Sequence, residues 1–371
     1  MKIDRREVLK FGASAAAMAT VPGAAWAQAG SGALFAPAPG DWRTYEITTK
    51  VEILNPQGET QVWLPIPAFE AEGWSKPGET TFQTKSGKAE IVKDAKSGAR
   101  FLHVAWSANE PQPEVSAVSR FTARDLKVDP GKANPSAKLS AEDRKRYTAS
   151  TSTLRLAGIV TETATRITAG ATGDLDKAKR IYDWIVDNTT RNPKTRGCGT
   201  GDIESMLKSG NLTGKCADLN ALFVGLARAS GLPARDIYGV RVAPSAFGYK
   251  SLGAGSANIT RAQHCRADVF VEGVGWIPVD PADVRKVILE EPPGNLAADD
   301  PKVKAARAAL FGSWEMNWLA YNDTHDVVLP GSKGPPVSFL MYPQAETARG
   351  RLDELDPDSF KYSITTRQLP A

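Results

Sequence analysis

One of the three cysteines in this chain stands at the start of a predicted helix. Cys216 lies in the segment LTGKCADLNALFVGLARASGLPAR, where the apolar residues that follow it recur at spacings typical of a helix packed along one face. Thr213 is predicted to cap this helix, and Gly231 with Pro233 is predicted to end it. A thiol in the first helical turn feels the partial positive charge of the helix N-terminus, which favours the thiolate. The position suits a nucleophile, although free cysteines more often have a buried structural role.

A nucleophilic cysteine needs a base and an acid that orients this base. His264 opens the segment HCRADVFVEGVGWIPVDPAD, which predicts two strands joined by a tight turn. Across this hairpin His264 faces Asp280, within a register uncertainty of about one or two residues. An aspartate there would hold the imidazole in the tautomer that accepts the thiol proton. We therefore predict Cys216, His264 and Asp280 as catalytic residues, with Asp268 and Asp283 as alternatives for the acid.

The chain resembles the transglutaminase-like superfamily of papain-like thiol enzymes. The resemblance rests on the order of these residues and on the segments GKCADLNALFVGLARASGLPARDIYGVRV and HCRADVFVEGVGWIPVDPAD. The resemblance covers residues 174–285. It implies an α+β fold in which the cysteine helix packs on an antiparallel sheet. It also implies that Cys216 is the nucleophile, His264 the general base and acid, and Asp280 the orienting residue. Many members carry an aromatic residue two positions after the histidine, where this chain has Arg266.

The resemblance implies thiol-dependent acyl transfer on amide bonds of a peptide or protein substrate. Water as the acceptor gives a cysteine peptidase or amidase, and an amine gives a cross-linking transglutaminase. Hydrolysis is favoured because no segment specifies an amine site and no calcium-binding D-x-D-x-D-G loop is present in the sequence. The alternative from another class is a catalytically silent module that binds envelope peptides. The backbone N–H of Cys216 is one expected oxyanion donor, and Trp184 and Asn192 are candidates for the second.

The N-terminal segment MKIDRREVLKFGASAAAMATVPGAAWAQ has the pattern of a twin-arginine export signal. Arg5 and Arg6 form the arginine pair, and cleavage is expected after Ala27. We expect the Tat export machinery to be a partner and the mature protein to be periplasmic or secreted. No stretch of about 18 apolar residues predicts a transmembrane segment in the mature protein. The net charge of +4, with no basic run interleaved with aromatics, gives no basis for nucleic-acid binding.

The mature chain divides into a linker over 28–40, a β-sandwich-like domain over 41–125, a catalytic core over 150–290 and a C-terminal extension over 291–371 that packs on the core. Short alternating runs predict the β-domain, and amphipathic segments predict helices over 152–170, 174–190 and 202–210. Asp174 is the predicted cap of the second helix. In the extension, the helical spacing of Trp314, Trp318 and Tyr321 predicts core aromatics, whereas His325 is expected to be solvated.

Neither a cofactor nor a metal site is predicted, since the cysteines form no C-x-x-C pair. Successive residues on a strand point to opposite faces, so Cys265 is expected to face away from the cysteine helix if His264 faces it. Cys265 could then pair with Cys198 in a disulfide. The alternative, in which all three thiols stay reduced, remains open because twin-arginine cargo folds in the reducing cytoplasm.

Overall fold

The computed structural model describes residues 34–95, 97–356, 358 and 360–370. The predicted signal segment, its cleavage point and residues 28–33 of the predicted linker lie outside the described residues. Within the described ranges, every helix is too short or too polar to cross a membrane.

The described residues form seven α-helices and nineteen strands. The helices are α1 (Ala141–Thr148), α2 (Ile159–Thr168), α3 (Asp174–Asn188), α4 (Ile203–Ser209), α5 (Cys216–Ala229), α6 (Pro281–Glu290) and α7 (Pro301–Ala309). The strands are β1 (Arg43–Glu52), β2 (Thr60–Pro65), β3 (Ser75–Thr84), β4 (Lys88–Lys93), β5 (Arg100–Trp106), β6 (Glu114–Ala123), β7 (Leu126–Lys127), β8 (Thr190–Arg191), β9 (Thr213–Gly214), β10 (Ala234–Arg241), β11 (Gln263–Val271), β12 (Gly275–Val279), β13 (Ser313–Trp314), β14 (Trp318–Asn322), β15 (His325–Val327), β16 (Val337–Phe339), β17 (Gln344–Thr347), β18 (Gly350–Arg351) and β19 (Lys361–Gln368).

The N-terminal region consists of two antiparallel sheets, with strand orders β19-β1-β6-β3 and β18-β17-β2-β5-β4. They share one apolar core, to which Val51 and Val115 contribute from the first sheet and Val62 and Leu102 from the second. The predicted N-terminal β region is therefore confirmed. The segment 291–371 was expected to pack on the core, and it supplies β17, β18 and β19 to these two sheets and β14 to the central one.

The central sheet has the antiparallel order β12-β11-β10-β14, and α5 packs on β10 and β11. Helices α2, α3 and α6 surround α5, so that the residues of α5 from Cys216 to Arg228 are all buried. A helix enclosed in this way is positioned by contacts on every side. The predicted α+β class, with the cysteine helix on an antiparallel sheet, is confirmed.

The structure corrects the predicted starts of two helices. Lys215, not Thr213, is the N-cap of α5, because Thr213 is paired with Thr190 in the short parallel ladder of β8 and β9. Asp174 is the first residue of α3 and not its cap, which is Gly173. Both predictions named the correct turn and missed the residue at its boundary.

The aromatic residues of the C-terminal segment are in strands, not in a helix. Trp314, Trp318 and Tyr321 are buried, as predicted, but they belong to β13 and β14. The prediction that His325 is solvated is wrong: its side chain is 7% exposed and lies 3.6 Å from a carboxylate oxygen of Asp236. Burial lowers the pKa of His325 to about 3, so this histidine is neutral at physiological pH.

Candidate active site

Cys216 is the first residue of α5 and is 4% exposed. The backbone N–H groups on either side of it are engaged: that of Lys215 donates to Asp218, and that of Ala217 donates to the carbonyl oxygen of Cys198. Among the described residues no acceptor is present for the N–H of Cys216 itself. This N–H is one of those that a helix start leaves without an intrahelical partner. It is therefore free to donate to an oxygen atom bound beside the thiol.

Asp218 holds the loop that precedes the thiol. Its Oδ1 accepts hydrogen bonds from the backbone N–H groups of Thr200 and Gly201, at 2.9 and 3.0 Å. Gly199 has a φ of +98°, and a Cβ there would lie 1.9 Å from the Asp218 carboxylate. The absence of a side chain at Gly199 thus allows the backbone to approach a buried carboxylate.

His264 is the second residue of β11 and is 4% exposed. Its backbone pairs with Gly239 of β10, where a Cβ would lie 1.9 Å from the carbonyl oxygen of Leu319. The indole N–H of Trp318 donates to the carbonyl oxygen of His264 at 2.8 Å. The pairing with β10 and a buried tryptophan therefore fix His264, which lines the same cavity as Cys216.

Asp280 contacts His264, but not through the predicted pairing. The ladder of β11 and β12 ends where Ala267 lies opposite Val279, so that Asp280 falls beyond the hairpin and becomes the N-cap of α6. Its Oδ2 lies 2.8 Å from Nε2 of His264, which leaves Nδ1 as the ring nitrogen available to the thiol. The position predicted from the hairpin is wrong, because the chain leaves the strand before the two residues can oppose each other.

Two further donors hold the Asp280 carboxylate, which is fully buried. The side-chain amide of Asn220 donates to Oδ1 at 3.2 Å, and the backbone N–H of Asp283 donates to the same oxygen at 3.0 Å. Asn220 lies on α5, one turn after Cys216, so the cysteine helix itself contributes to the placement of the carboxylate. This role of Asn220 could not be predicted from local pattern, since it depends on a contact across sixty positions of the chain.

Asp283 is a second carboxylate beside the imidazole, with its Oδ2 3.4 Å from Nε2 of His264. It forms a two-point salt bridge with Arg241, at 2.6 and 2.8 Å. The other predicted alternative, Asp268, pairs instead with Arg235 at 2.9 Å. His264 and the two carboxylates are close enough to one another to hold a cation. Arg241 already supplies positive charge at this place, so that a metal ion would have to compete with it.

Arg266 stands where the resemblance led us to expect an aromatic residue. It is 2% exposed, and its guanidinium lies over the ring of Trp318 at 4.8 Å. Its Nη1 donates to the carbonyl oxygen of Glu315 at 2.9 Å, and its Nε lies 3.6 Å from Oδ2 of Asp280. Arg266 therefore lies behind the carboxylate and does not line the cleft.

Electrostatics favours an ion pair between thiolate and imidazolium. Hydrogen bonds from Cys198 and Cys265, together with His264, hold the pKa of Cys216 well below its ordinary value despite burial. Burial and Arg241 act to lower the pKa of His264, but the carboxylates of Asp283 and Asp280 outweigh them and raise it to about 9. Between these two pKa values Cys216 is negative and His264 is positive.

The three cysteines lie together, and all are free thiols. Cys265 packs in one buried cluster with Cys216, Ala217 and Leu219 of α5, so the prediction that it faces away from the helix is wrong. Side chains alternate along a strand, yet the thiol lies at the end of the helix, beside the first residues of β11. Two successive strand residues can therefore both lie near the start of the helix, His264 in the cavity beside Cys216 and Cys265 in the buried cluster.

A cavity of about 560 Å³ opens beside Cys216 and His264. Its wall includes Tyr342 but neither Trp184 nor Asn192, the two residues named from the sequence as candidates for the second oxyanion donor. The hydroxyl of Tyr342 is buried beside Cys198 without a nitrogen or oxygen partner. Burial raises the pKa of Tyr342 well above its ordinary value, so the hydroxyl keeps its proton and can donate.

The structure thus brings together a cysteine at the start of a buried helix, a histidine on an antiparallel sheet and an aspartate at the N-cap of α6. Residues 161–281, which include Cys216, His264 and Asp280, match the model of the transglutaminase-like superfamily. An uncharacterised protein of Haemophilus influenzae is 34% identical over 346 residues, which cover 89% of this chain and 92% of the relative. The chain belongs to the transglutaminase-like superfamily.

One solved structure shares the fold of this chain. A candidate cysteine protease from Cytophaga hutchinsonii superposes with a TM-score of 0.50 at 15% identity, covering 89% of this chain and 99% of that chain. The periplasmic domain of TgpA from Pseudomonas aeruginosa gives a TM-score of 0.34 at 14% identity, covering 63% of this chain and 90% of that domain. The first of these similarities supports the transglutaminase-like, cysteine-protease type of fold, and the second is too low to support an argument.

Proposed function

We propose that this protein is an exported cysteine peptidase or amidase in which Cys216, His264 and Asp280 form the catalytic triad. The observation that carries the proposal is the hydrogen bond of 2.8 Å between Nε2 of His264 and Asp280, with the other ring nitrogen left for a thiol of lowered pKa. A purely structural cysteine needs neither a base nor a buried carboxylate behind that base.

In the proposed reaction the Cys216 thiolate attacks the carbonyl carbon of an amide, and the electron pair of the C=O bond moves to oxygen. The N–H of Cys216 and the hydroxyl of Tyr342 donate to this oxyanion. The imidazolium of His264 protonates the leaving nitrogen as the C–N bond breaks, which leaves a thioester. Water then attacks the thioester, His264 accepts the proton of the water, and the acid leaves as the thiolate is restored.

The direct test is incubation of mature protein with a mixed pool of peptides and primary amines, followed by mass spectrometry. We expect cleaved amide bonds, and we expect Cys216→Ala to produce none. Amine adducts on glutamine side chains would instead identify the activity as that of a transglutaminase. If the wild-type protein leaves the pool unchanged and Cys216 is alkylated no faster than a thiol in solution, the catalytic proposal fails in favour of a binding module.

The proposed location outside the cytoplasm rests on the arginine pair and the small-residue cleavage pattern of the first 27 residues. The test is fractionation of cells that express the full chain. We expect the processed protein in the periplasm or the medium, and retention of the unprocessed protein in the cytoplasm when Arg5 and Arg6 are both changed to Lys. Export that survives this double change would contradict use of the Tat machinery.

A further inference from the structure

The cavity beside Cys216 has a strongly basic wall. One carboxylate, Glu354, lines it, and burial raises the pKa of this residue above its ordinary value. The cationic residues of the wall are Arg191, Arg196, Lys215, Arg241, Arg261 and Lys286. Clefts lined by charges of one sign concentrate ligands of the opposite sign.

Four of these six cations have a carboxylate partner behind the wall, which reduces the charge they present to a ligand. The pairs are Arg191 and Lys286 with Glu290, Arg196 with Asp353, and Arg241 with Asp283. Lys215 and Arg261 form no salt bridge with any part of the chain that the structure describes. The positive charge that is not compensated within the protein is therefore concentrated at Lys215 and Arg261.

These two residues flank the reacting groups. Lys215 immediately precedes Cys216, and Arg261 lies three positions before His264. They belong to the two segments that carry the proposed nucleophile and base, and both residues line the same cavity. A cation on each segment would meet a bound amide close to its reacting carbon.

We propose that this cleft selects amide substrates that carry carboxylate groups beside the bond attacked, and that Lys215 and Arg261 determine this specificity. The class of substrate is an acidic peptide. The carboxylates can be side chains of Asp or Glu or a free C-terminus, since both present the same group to an ammonium or guanidinium ion. This inference rests on the proposed function for its account of turnover, but the binding it describes is independent of catalysis.

The charge of the cleft can be measured without a substrate by alkylation of Cys216. Iodoacetate and iodoacetamide react alike: the thiolate forms a C–S bond and iodide leaves, while the first reagent alone carries a carboxylate. We expect the ratio of the rate with iodoacetate to the rate with iodoacetamide to fall about threefold to tenfold in Lys215→Gln and in Arg261→Gln. The ratio should fall in the wild type as salt is added, because salt screens exposed charges.

Two controls separate charge from other effects. Lys215→Arg keeps the charge and should keep the ratio. Lys304→Gln removes one exposed lysine that does not line the cavity and should leave the ratio at the wild-type value. A ratio that both cleft variants leave unchanged would overturn the proposal.

Peptide binding to the Cys216→Ala protein provides the second arm, because no turnover is needed. The affinities of three peptides of matched length are compared by fluorescence anisotropy. The first peptide contains Glu, the second contains Gln in its place, and the third contains Glu and has an amidated C-terminus. We expect the Glu peptide to bind at least about tenfold more tightly than the Gln peptide, and the double variant of Lys215 and Arg261 to lose this preference. A loss of affinity on amidation alone would assign the contact to the terminal carboxylate.

The outcomes also separate this inference from the proposed function. If acidic peptides bind with the expected preference but the wild-type protein cleaves none of them, the hydrolase proposal fails and the cleft specificity stands. If neutral peptides bind or are cleaved as well as acidic ones, the cleft specificity fails and the hydrolase proposal stands.

Discussion

Asp280→Asn tests how far the imidazole depends on a charged partner. The substitution removes a negative charge 2.8 Å from Nε2 of His264 and keeps a side chain of almost the same volume. The net rise in the pKa of His264, from 6.5 to about 9, corresponds to about 3 kcal/mol at 1.36 kcal/mol per pH unit. Asp283 remains at 3.4 Å, so we expect the variant to lose about half of this stabilisation of the imidazolium.

The expected result is a basic limb of the pH–rate profile that moves down by about one to two pH units, because His264 then loses its proton at lower pH. The imidazolium is the form that protonates the leaving amine, so kcat/KM should fall about 10- to 100-fold above about pH 9, where the imidazole of the variant is neutral, and much less near neutral pH. Loss of an orienting carboxylate that has no substitute costs about 10⁴-fold in the serine-protease triad. We expect a smaller loss here because a second carboxylate is in place.

The assay is the pH dependence of Cys216 alkylation by iodoacetamide, with the modified cysteine identified by peptide mass spectrometry. The pH profile of peptide cleavage is measured alongside it. Asp299→Asn, which removes one exposed carboxylate that does not line the cavity, is the matched control and should retain the wild-type profile. A variant at Asp280 with an unchanged basic limb and an unchanged rate would refute the reasoning and transfer the orienting role to Asp283.

Three other changes test separate parts of the site. Cys216→Ala should abolish cleavage, and residual cleavage would exclude Cys216 as the nucleophile. The variant should change the free energy of unfolding by less than about 2 kcal/mol in urea denaturation, because it removes one buried side-chain atom. Tyr342→Phe should lower kcat about 10- to 1000-fold with little change in KM in steady-state kinetics, since an oxyanion donor acts in the transition state, and an unchanged kcat would remove Tyr342 from this role. Gly239→Ala should destabilise the protein by about 3 kcal/mol or more in the same denaturation assay, because its Cβ would lie 1.9 Å from a backbone oxygen. The control is Gly255→Ala, which should change the free energy of unfolding little because nothing lies within 4 Å of its Cβ.

The sequence predicted those parts of the site that depend on local pattern. The helix that begins at Cys216 and the strand that carries His264 follow from the spacing of apolar residues and from one tight turn. The pairing of His264 with Asp280 was predicted from hairpin register, whereas the contact arises at a helix N-cap beyond the hairpin. The correct partner was thus named for an incorrect geometric reason.

Parts of the site that depend on distant segments could not be predicted in this way. Tyr342 reaches the cavity from the C-terminal segment, and Arg241 reaches Asp283 from the neighbouring strand. Nothing in the spacing of residues along one element places a side chain from another. The same reason explains the error at His325, whose burial depends on packing against Asp236 and Tyr238.

The arrangement around Asp280 joins the stability of the fold to the chemistry of the site. Its carboxylate caps α6, accepts a hydrogen bond from Asn220 on the cysteine helix and contacts the imidazole. Burial and the neighbouring Asp283 raise the pKa of Asp280, so a carboxylate at this position depends on these donors to remain charged. Because the same donors fix the direction of the carboxylate, a shift of α6 or α5 relative to the sheet would turn the imidazole away from the thiol. A rigid core is therefore required to hold the imidazole of His264 in its position beside the thiol.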